Sequence, residues 1–222
     1  MTLAPDAVRT MFDRIAPVYD AMNRVMTAGL DLRWRRLAAA AVVRAGDRVL
    51  DAACGTGDFA VADARAGAGH VVGLDFSERM LERARRKAAW VEWVQGDVLA
   101  LPFPDGSFDA ATIGFGVRNT DLNLALRELR RVLRHGGRLA VLEITQPVGV
   151  LRPFYSLWFD RLVPLLGRLL PGGEAYAYLP ASVKRFPAAD ELAARMRAAG
   201  FADVRFRRLG GSIVALHTGV AA

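Results

Sequence analysis

The stretch of sequence that decides the fold reads Val49-Leu50-Asp51-Ala52-Ala53-Cys54-Gly55-Thr56-Gly57-Asp58. An apolar run leads to a carboxylate, a loop with two glycines follows, and an apolar segment over residues 59–62 continues without a break. This order predicts a β-strand, a tight loop and the start of an α-helix. In doubly wound α/β folds, such a corner binds nucleotide-type ligands.

The residues around the glycines distinguish two classes of ligand. Gly55, Gly57 and Ala60 satisfy the dinucleotide pattern G-x-G-x-x-A, which alone is a weak indication of NAD. A pyrophosphate would bind amide groups at the helix N-terminus, where Asp51 and Asp58 are expected to place two carboxylates that repel it. The ammonium and sulfonium groups of S-adenosylmethionine are attracted by carboxylates. The corner therefore favours S-adenosylmethionine over NAD.

Two further strand ends are expected to meet the same ligand. One short apolar run ends in Asp75, where a carboxylate binds ribose hydroxyls in this layout. Ser77 is expected to cap the helix that follows. Another run ends at Asp97 and Val98, where the side chain and the backbone are expected to contact adenine.

Strand and helix patterns alternate from Arg48 onward. The predicted strands cover residues 48–53, 70–75, 91–95, 108–114, 138–144, 204–209 and 212–218. A helix is predicted over 121–134, because four leucines form one stripe and Gly136 ends it, with His135 at its C-terminal end. Another is predicted over 188–199. The alternation predicts an α/β fold with a mostly parallel sheet that helices cover on both faces.

We expect a single domain over residues 1–222. Its predicted parts are an N-terminal helical cap or lid (1–44), a cofactor-binding core (45–146), a helical insertion for substrate (147–182) and a C-terminal helix with a strand hairpin (183–222). The N-terminal part is read equally well as a packing segment or as a lid over the cofactor. Within the insertion, residues 151–180 carry an amphipathic stripe, read as a kinked core helix or as a hydrophobic entrance or membrane-contact surface for a lipid-like substrate.

The composition limits the cellular compartments and the classes of binding partner that we expect for the protein. Of 30 basic residues, only Lys87 and Lys184 are lysines, and the net charge is +7. The arginine excess is read as surface composition or as attraction to an acidic partner. Cys54 is the single cysteine, so no disulfide forms within the chain. With neither a signal-peptide pattern nor a long apolar run, we expect a cytoplasmic protein, and peripheral contact with the inner face of the membrane stays open. A homo-oligomer also stays open.

The methyl acceptor is expected to meet the residues that follow the fourth strand. No Asn-Pro-Pro-Tyr element and no Pro-Cys nucleophile occurs there, which disfavours methylation of nucleic-acid bases. A deprotonated phenol or quinol needs no protein nucleophile, because its ring carbons are themselves nucleophilic. Arg118 suits stabilisation of the phenolate and Asn119 suits orientation of a ring oxygen. The structural alternative is a helix cap at Asn119 and a carboxylate partner for Arg118. No cluster with metal-ligand spacing is found, so we predict no metal.

Several motifs together resemble the ubiquinone/menaquinone biosynthesis C-methyltransferases over nearly the whole chain. The glycine loop is generic to class I methyltransferases, whereas Gly-Phe-Gly-Val-Arg-Asn and the N-terminal stretch are more specific. The motifs are Phe-Asp-Arg-Ile-Ala-Pro-Val-Tyr-Asp-Ala-Met-Asn at 12–23, the glycine loop at 51–58, Leu-Pro-Phe-Pro-Asp at 101–105, Gly-Phe-Gly-Val-Arg-Asn at 114–119 and the segment 176–187 with its Tyr-Leu-x-x-Ser core.

The resemblance implies a class I, Rossmann-like, seven-stranded fold. It also implies methyl transfer from S-adenosylmethionine to a ring carbon of a polyprenylated quinol, either demethylmenaquinol or 2-methoxy-6-polyprenyl-1,4-benzoquinol. By the family pattern, Thr56, Asp75, Asp97 and Val98 carry over as cofactor contacts beside the motif residues Asp51, Gly55 and Gly57, and Arg118 with Asn119 as catalytic residues. Gly114 stands where some members have a serine that contacts the cofactor.

Three other functions remain as alternatives at this stage. One is a methyltransferase for another phenolic or lipid small molecule. The second is a nucleic-acid- or membrane-binding protein that retains a cofactor fold, which the arginine excess motivates, although we expect no nucleic-acid partner. The third is an NAD oxidoreductase, which rests on the glycine pattern alone.

Overall fold

A seven-stranded sheet forms the centre of the protein. The computed structural model describes residues 5–146, 148 and 180–222. The strands lie in the order β3-β2-β1-β4-β5-β7-β6, and in chain order they are β1 (Arg48–Ala52), β2 (His70–Asp75), β3 (Glu92–Gln95), β4 (Phe108–Gly114), β5 (Leu133–Ile144), β6 (Phe201–Leu209) and β7 (Val214–Ala221). Neighbours among β1 to β5 pair in parallel, whereas β7 runs antiparallel to β5 and β6. The predicted α/β class and mostly parallel sheet are confirmed.

Helices cover both faces of this sheet. Along β1, Val49 packs in one cluster with residues of α3 and α4, whereas Leu50 packs in another with residues of α6 and α7. Successive strand residues point to opposite faces, so both faces are buried, as parallel sheets generally require. The helices are α1 (Pro5–Ile15), α2 (Tyr19–Thr27), α3 (Leu30–Val42), α4 (Asp58–Arg65), α5 (Glu78–Lys87), α6 (Leu122–Val132) and α7 (Ala189–Ala198), and residues 180–185 are also helical.

Strand β5 begins at Leu133 rather than at residue 138, and α6 is correspondingly shorter than predicted. The cause is long-range pairing, because Leu133 is taken into the sheet opposite Phe108. Gly136, with φ +75°, lies in the irregular first part of this strand. His135 is therefore part of β5, and its predicted place at a helix terminus is wrong.

The C-terminal hairpin is longer than predicted. Strand β6 begins at Phe201 instead of 204, and β7 covers Val214–Ala221 instead of 212–218. The predicted helix over 188–199 is confirmed as α7. In β7, His217 is buried and its Nε2 lies 2.7 Å from the carbonyl oxygen of Ala189, so this histidine serves packing between strand and helix.

The predicted helical insertion lies mostly outside the described residues. Of its range 147–182, the structure describes 148 and 180–182, so the apolar stripe over 151–179 is among the residues left out. The Tyr-Leu-x-x-Ser motif is likewise described only from residue 180 onward. Across the described ranges, none of the helices is long and apolar enough to span a bilayer.

One indole ring fixes the spacing between the glycine loop and β2. A Cβ atom added at Gly73 would lie 2.3 Å from Cζ3 of Trp93, and one added at Gly57 would lie 2.4 Å from Cη2 of the same ring. The indole nitrogen donates a hydrogen bond to the carbonyl oxygen of Ala88 at 2.9 Å, which sets the ring's orientation. Neither glycine position has room for a side chain.

Gly73→Ala should lower the free energy of unfolding by about 1–3 kcal/mol, because the added methyl would overlap the Trp93 ring in a packed core. Chemical denaturation measures this loss. The double variant Gly73→Ala/Trp93→Leu should lose less than the two single variants summed, since leucine leaves room for the methyl. Strictly additive losses would contradict the assigned contact.

Candidate active site

A cavity of about 490 Å³ lies where the carboxyl ends of β1, β2 and β4 meet. This volume is in the range of small-molecule sites, which is roughly 300–1,000 Å³. The N-terminal helical segment forms one of its walls through Val8, Phe12 and Tyr19. These three side chains make that wall apolar and aromatic.

The charged side chains that line the cavity are carboxylates. Asp75, Asp97 and Asp121 face it, and none of its described lining residues is a lysine or an arginine. A cavity with this lining attracts cations and repels phosphate. The cavity is therefore acidic, as the sequence predicted. Its carboxylates are those of Asp75, Asp97 and Asp121, however, and not those of Asp51 and Asp58.

Asp51 lies beneath the glycine loop and does not line the cavity. Its carboxylate is 1% exposed, and Oδ2 accepts a hydrogen bond from the backbone N–H of Ala60 at 2.8 Å. Oδ1 has no partner. Burial raises the pKa of Asp51 to about 8, against the effect of the Ala60 hydrogen bond. Its predicted position at the mouth is thus not observed, and its carboxylate instead ties strand β1 to helix α4.

Asp58 is also turned away from the cavity. Its carboxylate accepts hydrogen bonds from Lys87, at 2.6 Å, and from Arg24. Although burial acts in the opposite direction, these two cations hold the pKa of Asp58 below its ordinary value. Asp58 therefore connects three helices rather than facing a ligand.

Asp75 joins two loops at the floor of the cavity. Oδ2 accepts the N–H of Gly55 at 2.8 Å, and Oδ1 accepts the N–H of Ser77 at 2.9 Å. A carboxylate oxygen has two lone pairs, so both oxygens keep an acceptor site for ligand hydroxyls. Burial raises the pKa of Asp75 to about 6, while the two backbone hydrogen bonds lower it. Ser77 caps α5 as predicted, since its side chain accepts the N–H of Met80.

The other predicted cofactor residues divide into lining and supporting positions. Gly55, Asp97 and Val98 line the cavity, and Asp97 accepts the N–H of Leu99 at 2.9 Å. Thr56 and Gly57 do not line it. The Thr56 hydroxyl donates to Asp20, and Gly57, with φ +83°, is the residue from which α4 begins.

Asn119 lines the cavity and carries a buried side-chain amide without partners. Its Nδ2 and Oδ1 atoms are both buried and neither has a hydrogen-bond partner in the protein. A buried amide without partners costs free energy, so this side chain is suited to a polar ligand group. The capping alternative is not observed, because Asp121 is the N-cap of α6.

Arg118 lies behind Asn119 and does not line the cavity. Its Nη1 donates to Oε1 of Glu143 at 2.7 Å and also to the carbonyl oxygen of Phe115. The carboxylate partner that the sequence left as an alternative is therefore present. Gly114 lines the cavity, and a Cβ atom there would lie 2.7 Å from Cδ1 of Phe59, so a serine at this position would require that ring to move.

Sequence reasoning missed Glu143 and left the part played by Phe12 and Tyr19 open. Glu143 is a carboxylate in the apolar strand β5, and that exception to the pattern was the available signal. Phe12 and Tyr19 belong to the N-terminal segment that the sequence left as a packing segment or a lid over the cofactor, and both line the cavity.

Residues 1–221 match the profile of the ubiE/COQ5 methyltransferase family. The chain belongs to this family. A demethylmenaquinone methyltransferase of Thermus thermophilus is 50% identical over 94% of this chain and 99% of that protein. A demethylmenaquinone methyltransferase of Deinococcus radiodurans is 46% identical over 96% of this chain and 92% of that protein. A 2-phytyl-1,4-naphtoquinone methyltransferase of Synechococcus elongatus is 40% identical over 96% of both chains.

Solved structures of lower identity share the fold of this ubiE/COQ5 family member. The [4+2]-cyclase SpnF has a TM-score of 0.71 at 20% identity and covers 96% of this chain and 94% of its own. A SAM-dependent methyltransferase of Thermotoga maritima has a TM-score of 0.63 at 22% identity, over 96% and 100%. Membership of the family makes the chain an S-adenosylmethionine-dependent methyltransferase, so the predicted enzyme class and cofactor are confirmed.

Affinity for S-adenosylmethionine should rise about tenfold between pH 5 and pH 7, because the carboxyl group of Asp75, with a pKa of about 6, ionises in this range. The ionised form is the better acceptor for ribose hydroxyls. The same raised pKa means that this group's contribution to stability is fully present below about pH 4 and is lost as the pH rises through about 6. Equilibrium binding across this range measures the change in affinity.

Asp75→Asn should flatten this pH dependence, since asparagine does not ionise. Asp105→Asn is the matched control, because the side chain of Asp105 is 80% exposed and lies outside the cavity lining. An unchanged pH dependence in Asp75→Asn would rule out the assignment to this carboxyl group.

Proposed function

We propose that the chain transfers the methyl group of S-adenosylmethionine to a ring carbon of a polyprenylated quinol, converting demethylmenaquinol to menaquinol. The observation that carries the proposal is that Asn119 lines the cavity and keeps a buried side-chain amide without a partner in the protein. The names of the relatives at 40–50% identity support a naphthoquinol acceptor. The 2-methoxy-6-polyprenyl-1,4-benzoquinol remains the second candidate acceptor.

The cavity lining fits a cofactor with an adenosine end and a cationic end. We assign ribose hydroxyls to Asp75 and adenine to Asp97 and Val98, with the backbone of Gly55 closing the loop beside them. When bound, S-adenosylmethionine supplies an electrophilic methyl group on a positively charged sulfur. The carboxylates of the lining attract that charge.

Three of the predicted cofactor residues are assigned a supporting part in this proposal. Asp51, Thr56 and Gly57 shape the loop from beneath, through hydrogen bonds to Ala60 and Asp20 and through the positive φ angle before α4. Because these residues do not line the cavity, changes at them should act through the position of the loop.

At the acceptor end, a quinol hydroxyl must lose its proton for the adjacent ring carbon to become nucleophilic. The Asn119 amide offers both a donor and an acceptor, so it can bind the hydroxyl and then the phenolate oxygen. Arg118 does not line the cavity and its guanidinium is paired with Glu143, so we assign it the part of holding the turn that carries Asn119. The apolar wall of Val8, Phe12 and Tyr19 suits the quinol ring and excludes water. We therefore interpret the N-terminal segment as a lid.

A polyprenyl acceptor is held in a membrane, so we also propose peripheral contact with the cytoplasmic face of an anionic bilayer. Val25 and Leu30 are 62% and 40% exposed, and the exposed Arg33 lies in the same N-terminal segment. Exposed apolar side chains beside a cation are typical of interfacial binding. Cosedimentation with phosphatidylglycerol vesicles should fall as the salt concentration rises. Absence of binding at low salt would contradict this contact.

The reaction is tested with labelled S-adenosylmethionine under reducing conditions. Short-chain demethylmenaquinol and the methoxybenzoquinol are supplied in parallel, and products are identified by mass. We expect a methylated naphthoquinol. Cofactor binding without a product from either quinol would overturn the proposal in favour of another phenolic or lipid acceptor.

Asn119→Ala should lower kcat about 100-fold or more, because it removes a donor aimed at the developing charge. The Kd for S-adenosylmethionine should stay nearly unchanged.

Arg118→Ala should abolish turnover, and it too should leave the Kd for S-adenosylmethionine nearly unchanged. Asn123→Ala is the matched control, since Asn123 is an exposed asparagine in the first turn of α6 outside the cavity lining. Loss of cofactor binding in the first two variants would count against the acceptor role.

A further inference from the structure

Glu143 is a buried carboxylate to which the family resemblance and the sequence assigned no role. It lies near the end of β5, is 1% exposed, and follows the buried residues Leu139 to Leu142. A charge in such surroundings is costly unless it is paired and hydrogen-bonded. Its partners therefore show what it holds in place.

The guanidinium and the backbone N–H of Arg118 both donate to the Glu143 carboxylate. Oε1 accepts Nη1 of the guanidinium at 2.7 Å, and Oε2 accepts the backbone N–H of Arg118 at 3.3 Å. Oε1 also accepts the N–H of Ile144 at 2.9 Å, which fixes the carboxylate to its own strand. Side chain and backbone of Arg118 are thus fixed relative to β5.

The fixed arginine holds the loop that carries Asn119. Arg118 Nη1 donates to the carbonyl oxygen of Phe115, a residue with φ +60°, which is a strained conformation for a bulky side chain. The N–H of Phe115 in turn donates to Leu142 on β5 at 2.9 Å. The one-turn 3₁₀ helix Val117–Asn119 is therefore attached to β5 through both Arg118 and Phe115.

Asn119 itself has no such anchor. Its backbone N–H donates to Gly116 at 3.1 Å, but its side-chain amide has no partner in the protein. The direction of that amide depends on the turn that carries it, and the turn depends on the Arg118 ion pair.

We propose that Glu143 is a positioning residue for methyl transfer, acting through Arg118 to aim the Asn119 amide at the acceptor oxygen. This inference rests on the proposed function of Asn119. Glu143 is bonded to the turn that carries Asn119 and not to the glycine loop, so its effect is expected on the chemical step and not on cofactor binding. Displacement of a reactive group by about 1 Å costs about 100-fold in rate, which sets the scale of the expected loss.

The test compares Glu143→Gln with Glu143→Ala in the full chain. Glutamine keeps one acceptor for Arg118 and should lower kcat about tenfold, whereas alanine removes both and should approach 100-fold. The Kd for S-adenosylmethionine should remain within about twofold of the parent value in Glu143→Gln. Glu191→Gln is the matched control, because Glu191 pairs with Arg195 on the exposed face of α7, and it should leave kcat unchanged.

A double-mutant cycle with Asn119→Ala separates positioning from general loss of structure. If Glu143 acts through Asn119, Glu143→Gln should lower kcat little further once Asn119 is alanine, so the two effects are not additive. Single-turnover methyl transfer keeps the slow variants measurable.

The outcomes of this cycle fall into distinct classes. Full additivity, or parent-level kcat in Glu143→Gln, would overturn the positioning role while the proposed function of Asn119 stands. Parent-level kcat in Asn119→Ala would instead overturn the acceptor role of Asn119, and the positioning role that rests on it.

Discussion

Buried carboxylates at strand ends, each bonded to backbone amides, are the interaction on which this site depends. Asp51 at the end of β1 accepts the N–H of Ala60, and Asp75 at the end of β2 accepts those of Gly55 and Ser77. Glu143 near the end of β5 accepts the N–H of Arg118. Parallel strands end at one edge of the sheet, so three side chains of the same chemistry fix three loops around one cavity.

These carboxylates differ in how their buried charge is compensated, and the difference matches their position. Glu143 has a guanidinium partner at 2.7 Å, which compensates its buried charge. Asp51 and Asp75 rely mainly on backbone amides, and burial raises their pKa values to about 8 and about 6. Burial outweighs the amide hydrogen bonds at both groups. The cofactor end of the cavity is therefore the part whose charge responds to a cationic ligand.

The sequence predicted the strand ends well and the side-chain directions poorly, for a physical reason. Apolar runs and glycine loops report local backbone structure, and they located β1, β2, β4 and the loop at Gly55. They do not report which neighbour a carboxylate meets, so Asp51 was expected at the mouth although it lies beneath the loop. The start of β5 was missed because pairing between Leu133 and Phe108 joins positions far apart in the chain. The Glu143 contact with Arg118 is long-range in the same way.

The N-terminal segment is attached to the glycine loop by polar contacts and to α5 by a buried apolar cluster of Met11, Ile15, Ala16 and Met80. Asp20 accepts a hydrogen bond from Thr56 and one from Lys87 at 2.8 Å, with the two charged side chains 31% and 27% exposed. Ion pairs this accessible contribute about 0–1 kcal/mol each, far less than a fully buried aromatic side chain. Phe12 and Tyr19 supply apolar contact above the cavity, and the weak polar contacts fix where those rings come to rest. The buried apolar side chains, and not the exposed ion pairs, therefore contribute most of the attachment of this segment.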